Sequence, residues 1–156
     1  MVIRTQASSR LAITMSIEQS IDIACSPERI FGIYKNVESW AQWDPDIEAV
    51  GMDGDFIAGT RGWLKPVGAP KTATRLTSVN EPDSFTVESK LPFCTMRFEH
   101  YLETEGSQTR VTHRVIFLGP LAPVFSRLIG GKIRKGINGT MQGLKDFAEA
   151  FPARQS

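Results

Sequence analysis

Residues 98–117 read FEHYLETEGSQTRVTHRVIF and hold both histidines of this 156-residue chain, His100 and His113. Starting from residue 94, Cys94, Met96, Phe98, His100 and Leu102 share one parity; beyond the gap, Val111, His113, Val115 and Phe117 share another. A period of two is the mark of a strand half-buried against a core. Each histidine therefore falls on an apolar side. Gly106-Ser107, glycine first, suits a two-residue type II′ turn. That turn opposes Glu99 to Arg114, Glu103 to Arg110 and His100 to His113, whereas a slip of two residues either way faces neither glutamate with an arginine. The segment reads as a hairpin with two imidazoles side by side on its inward face.

Upstream, SIEQSIDIAC (16–25) alternates with Ile17, Ile21, Ile23 and Cys25 on one side, which makes it a first strand. SPERIFGIYKN follows, with Ser26 placed as an N-cap, Pro27 at the first helical position and Ile30, Phe31, Ile33 and Tyr34 on the apolar side. ESWAQWDPDIEAV carries Trp40 and Trp43, and its Pro45 stops a second short helix before a strand at 47–50. Further strands are expected at 60–66, 71–79 and 84–91, with the NEPD segment (80–83) as a turn.

From Pro120 the period changes. Leu121, Phe125, Leu128, Ile129, Ile133, Ile137, Met141, Leu144, Phe147 and Phe151 recur every three or four residues, the stripe of a long amphipathic helix. Gly130-Gly131 should break or bend it. Gly136, Gly139 and Gly143 each cost about 1 kcal/mol against alanine in a helix interior, so their number points to close backbone approach or missing side-chain volume.

Composition limits the partners. Eighteen basic and seventeen acidic residues leave a formal charge of +1, with no global field to attract nucleic acid or an anionic membrane. Two cysteines, Cys25 and Cys94, lie far apart without a CxxC, which fits a reducing compartment, and a cytoplasmic location is expected. No apolar run approaches the roughly 18 residues that span a bilayer. The opening MVIRTQASSRLAITM lacks acids and has Arg4 and Arg10 but no continuous apolar stretch, so residues 1–15 are expected to be a flexible tail before a single domain at 16–152.

Three stretches carry a resemblance to a known family: ACSPERIFGIYKNVESWAQWDPDIEAV, the Gly-Thr of GDFIAGTRGW, and TRVTHRVIFLGPLAPVFSRLI leading into LKDFAEA. From about residue 16 to 151 the chain resembles the polyketide cyclase/dehydrase and lipid-transport branch of the START/Bet v 1-like superfamily. The resemblance implies an α+β helix-grip fold: a seven-stranded curved antiparallel sheet wrapped around a long C-terminal helix, two short helices between strands 1 and 2, and an internal cavity for an apolar or amphipathic small molecule. The family has no universal catalytic motif to carry over, and function within a fold resides in its site.

On this reading Met96, Phe98, Leu102, Val115 and Phe117 wall the cavity, Phe125, Ile129, Ile133 and Ile137 cover it, and His100 and His113 form its polar point. Trp43 is expected at the rim, and Trp63 joins it if Leu64 faces outward. The same histidines could instead be hydrogen-bonded core residues. Two adjacent imidazoles in a low dielectric cannot comfortably both be cations, so at least one should be neutral. No metal site is expected, since Glu99 and Glu103 fall on the opposite parity, and no cofactor is expected. Binding, carriage or sequestration of a hydrophobic ligand is the first functional expectation. Cyclisation, dehydration or aromatisation of a polyketide-like substrate with His100 or His113 as general acid/base is the second, and a protein-binding groove the third. Arg127, Lys132, Arg134 and Lys135, with no acid between them, suggest a solvated helix face or transient contact with anionic lipid; nucleic acid is not expected.

Overall fold

A computed structural model describes residues 15–150. The expectations for residues 1–14 and for Phe151 lie outside the described residues. Seven strands, β1 (Met15–Ile23), β2 (Ile47–Met52), β3 (Arg61–Pro66), β4 (Thr72–Asn80), β5 (Ser84–Leu91), β6 (Cys94–Glu105) and β7 (Gln108–Leu118), form one antiparallel sheet in the order β1-β7-β6-β5-β4-β3-β2. Two short helices, α1 (Pro27–Lys35) and α2 (Trp40–Trp43), lie between β1 and β2 with a 3-10 turn between them, and α3 (Ala122–Ala150) closes the chain. This is the helix-grip architecture. Met15 pairs with Phe117, so the first strand begins one residue earlier than the tail boundary expected from sequence.

The hairpin register is the one the charge pairing demands. His100 opposes His113, Glu99 opposes Arg114 and Glu103 opposes Arg110. Gly106 takes a φ of 61° while Ser107 stays out of the left-handed region, as a type II′ turn requires. Arg114 pairs with both Glu99 (3.1 Å) and Glu18 (2.6 Å), tying three strands together on the outer face. Arg110 faces Glu103 across the ladder, but its guanidinium goes to Asp22 and Glu105 instead.

Helix α1 starts as its sequence requires: the Ser26 hydroxyl accepts from the Arg29 amide, with Pro27 at the first turn. It buries Ile30, Phe31 and Tyr34 against the sheet. In α3 the pair Gly130-Gly131 neither breaks nor ends the helix, which runs unbroken for 29 residues. Its packing against β1 and the loop after α2 overrides the weak propensity of two glycines. A Cβ at Gly136 would strike the Asp46 carboxylate, one at Gly143 the Trp43 carbonyl, and one at Gly139 would sit 3.4 Å from Pro45. The glycine stripe is the groove in which the loop at 43–46 lies.

Buried apolar side chains divide into two clusters. The larger joins Ile23, Phe31, Tyr34, Trp40, Trp43, Phe85, Leu102 and Val111 to Ile137, Met141 and Leu144 in the second half of α3. The smaller joins Cys94, Met96, Val115 and Phe117 to Ala122, with Phe98, Phe125, Ile129 and Ile133 packed on it. Among the described residues no helix is long and apolar enough to cross a membrane.

Candidate functional site

Both imidazoles point into the interior, with ring centroids 4.5 Å apart. Their partners come from three directions. From α1, the Tyr34 hydroxyl lies 2.6 Å from His113 Nε2. From β5, the Phe85 ring stacks on His100 at 4.0 Å and 6°, and the Phe85 carbonyl lies 3.3 Å from His100 Nδ1. Trp43 and Phe85 then pack edge-on against Tyr34, at 5.9 and 4.8 Å. Tyr34 is the residue beside the histidines that sequence reasoning did not place there. Its signal is present all the same: a tyrosine on the buried side of a short helix needs a polar partner for its hydroxyl.

The electrostatics follow from burial. The Tyr34 hydroxyl is pushed well above its usual range, first by desolvation and then by the Asp44 carboxylate, so it keeps its proton and donates to His113. His113 Nε2 is then an acceptor, and Nδ1 carries the ring proton. Desolvation lowers His113 to about 4. His100 is driven well below its usual value, by burial first and the neighbouring imidazole second. Both rings are therefore neutral at physiological pH. The Phe85 carbonyl, 3.3 Å from Nδ1, holds the His100 proton there, and the Phe98 backbone also hydrogen-bonds to the ring.

Asp44, 7% exposed, is a second buried ionisable group near Tyr34. Its Oδ1 accepts from the Asp46 amide and the Thr140 hydroxyl, each at 2.9 Å, while burial raises its pKa. The Trp43 indole N–H is buried without a partner. Among the described residues no three His, Cys, Asp or Glu side chains are placed to share a metal ion.

The expected lining divides into residues that reach open space and residues that do not. Leu102, Phe117, Ile137, Met96 and Val115 are all buried in the two clusters, Phe117 completely. Midway along the same inward face of β6, Phe98 and His100 are only half-buried, as is Val87 opposite Phe98 on β5. On α3, Phe125, Ile129 and Ile133 are half-buried. Trp43 is buried beside Tyr34 rather than on a rim. Trp63 is a correction: Leu64 packs on the core, and Trp63 lies on the outer face over Gly51 with the Lys71 ammonium 3.9 Å from its ring. Glycine opposite leaves the indole a place to lie flat, so Leu64 takes the inward parity. The site as built is thus a seam between two clusters, edged by Val87, Phe98 and His100, with the α1 side of the histidines filled by aromatic rings. Two shallow depressions, each about 270 Å³, lie on the outer face of the sheet and do not open onto the histidines.

Tyr34→Phe isolates the value of the hydroxyl. It leaves ring packing intact and strands a buried His113 acceptor, so a loss of about 1 to 3 kcal/mol in urea unfolding is expected. A change below about 0.5 kcal/mol would mean that His113 finds another partner.

The family model for polyketide cyclase/dehydrase and lipid transport proteins matches residues 14–149. The fold is similar to that of the Zhui aromatase/cyclase from Streptomyces sp. R1128, at 12% identity, TM-score 0.72, covering 87% of this chain and 94% of that one. The protein TTHA0849 from Thermus thermophilus aligns at 15% identity and TM-score 0.71, over 87% and 98% of the two chains. Norcoclaurine synthase from Thalictrum flavum aligns at 13% and 0.69, over 97% and 99%. No curated protein matches by sequence.

Proposed function

The chain belongs to the polyketide cyclase/dehydrase and lipid transport family, and from that premise we propose that it binds a hydrophobic small molecule carrying one hydroxyl, held in the seam between its two core clusters. The observation that carries this reading is the pattern along the inward face of β6. Met96 and Leu102 are buried while Phe98 and His100 between them are half-buried, so a neutral imidazole stands beside an apolar ring on the accessible part of that face. An apolar body against Val87 and Phe98 would gain about 25 cal/mol per Å² removed from water, and a ligand O–H donating to Nε2 would orient it.

Binding without chemistry is favoured over catalysis by the direction of the titrations. General acid/base work at neutral pH wants groups that titrate near 7. His113 sits at about 4, His100 is well below its usual value and Tyr34 well above its own, so each is a poor proton shuttle as it stands. The fold neighbours include an aromatase/cyclase and a synthase, and a catalytic role here would need a substrate that raises the His100 pKa on binding.

Native mass spectrometry of the full chain from its own host tests the proposal. A bound small molecule, lost in Val87→Trp, is expected; removing the acceptor with His100→Phe should retain the apolar contact but weaken binding about tenfold. A chain that is empty as isolated and whose interior takes up no apolar fluorescent probe would overturn it.

A further inference from the structure

Among the described residues, four of the five large apolar side chains that stand exposed, Val67 at 49%, Phe93 at 76%, Val124 at 48% and Leu128 at 71%, lie at one end of the molecule. The antiparallel order puts the β3–β4 turn, the β5–β6 turn and the β7–α3 link together there. Hydrogen bonds join them: the Leu121 amide donates to the Phe93 carbonyl at 3.1 Å, and the Lys132 ammonium to the Val67 carbonyl at 3.2 Å. Val124, Leu128 and Lys132 are spaced by four on α3 and share one exposed row.

Cations predominate at this end; its acids include Asp46, whose carbonyl accepts from the Val67 amide, and Glu48, which is paired with Lys65. Residues 66–73, 90–95 and 118–135 contain Lys71, Lys90, Arg127, Lys132, Arg134 and Lys135 and not one acid, in a chain with seventeen acids. Among the described residues no carboxylate pairs with any cation on α3 before Lys145. Phe93 adds a second signal. It occupies the second position of the Pro92-Phe93 turn at a φ of 54°, where glycine or asparagine is the unstrained choice. A bulky residue is thus held in a costly conformation with 76% of its surface exposed.

We propose that this end docks on an anionic lipid surface, Phe93, Val124, Leu128 and Val67 entering the interface while the α3 cations and Lys71 meet the headgroups. Apolar side chains rimmed by unpaired cations are the combination such a surface binds, and neither part suffices alone. A protein partner would leave the excess of cations on α3 before Lys145, which have no carboxylate partners among the described residues, without a reason. The inference holds whatever the seam carries, since none of its residues lines the seam.

Sedimentation of the full chain with vesicles decides it, using phosphatidylcholine alone and an equal mixture of phosphatidylcholine and phosphatidylserine. Binding is expected to the mixture and to fall steeply with salt. Phe93→Asn should weaken it about tenfold, while thermal stability stays level or rises because the strain at residue 93 is gone. Arg127→Glu with Lys135→Glu should remove the preference for phosphatidylserine. The docking surface is overturned if the chain ignores both vesicles, if Phe93→Asn binds as the native chain does, or if the exposed patch instead closes a stable dimer in solution.

Discussion

Acidification from about pH 6.5 to about pH 4 is expected to cost the fold about 3 kcal/mol through His113 alone. In the folded chain this ring stays neutral down to about 4, while in the unfolded chain it takes a proton near 6.5. The unfolded state therefore binds more protons across that window, and stability falls as pH falls. Above 6.5 the contribution is fully present; below about 4 no more is lost. His100 acts in the same direction, since burial and then its neighbour depress it well below its usual value. The Asp44 carboxyl, raised by burial, acts oppositely and adds stability as pH drops through its raised value. Hydrogen bonds from Asp46 and Thr140 pull the Asp44 pKa back down, against the burial that raises it. The check is the urea midpoint measured at intervals across the window. His113→Gln should flatten the slope, because an amide accepts from Tyr34 but does not titrate. A native midpoint that holds steady or climbs towards pH 4 would mean that the rings are hydrated in solution.

The same pair of rings marks how far sequence reaches. Parity, the glycine-first turn and two Glu–Arg pairs are enough to place His100 opposite His113, because a one-residue slip would turn every side chain over. Alternation and helical period also locate the strands and α3. Contacts between distant segments are not legible. That Tyr34 reaches across 79 residues to His113, and that Phe85 stacks on His100, depends on how α1 settles into the sheet, which no local period encodes. Trp63 is ambiguous for a related reason. With Trp63 and Leu64 adjacent, parity cannot choose, and the deciding feature is the space over Gly51 on another strand. Of the break or bend expected at Gly130-Gly131, the break does not occur, because propensity is a local quantity and α3 is held by tertiary packing. Aromatic rings from α1, α2 and β5 pack on one side of the histidines, while Phe98 and Val87 stay half-buried.

Replacing two helix glycines by alanine is expected to give opposite signs. Gly131 faces open space with nothing within 4 Å of a new Cβ, so Gly131→Ala should gain up to about 1 kcal/mol from propensity alone. Gly143→Ala should lose about 3 kcal/mol, near the upper end for overpacking, despite the same propensity gain. The new methyl would land on the Trp43 carbonyl, and main chain cannot swing aside as a flexible side chain does. Pro45 stiffens the loop, and Asp44 pins it to α3 through Thr140. Relief must come from moving α3 away or from shifting Trp43, which packs on Tyr34 and through it bears on the Tyr34–His113 hydrogen bond. Gly143→Ala should therefore also raise the His113 pKa towards its solution value, readable from the imidazole resonances. A variant as stable as the native chain would show that the loop at 43–46 does not lie against α3, and with it the placement of Tyr34 over the histidines would fail.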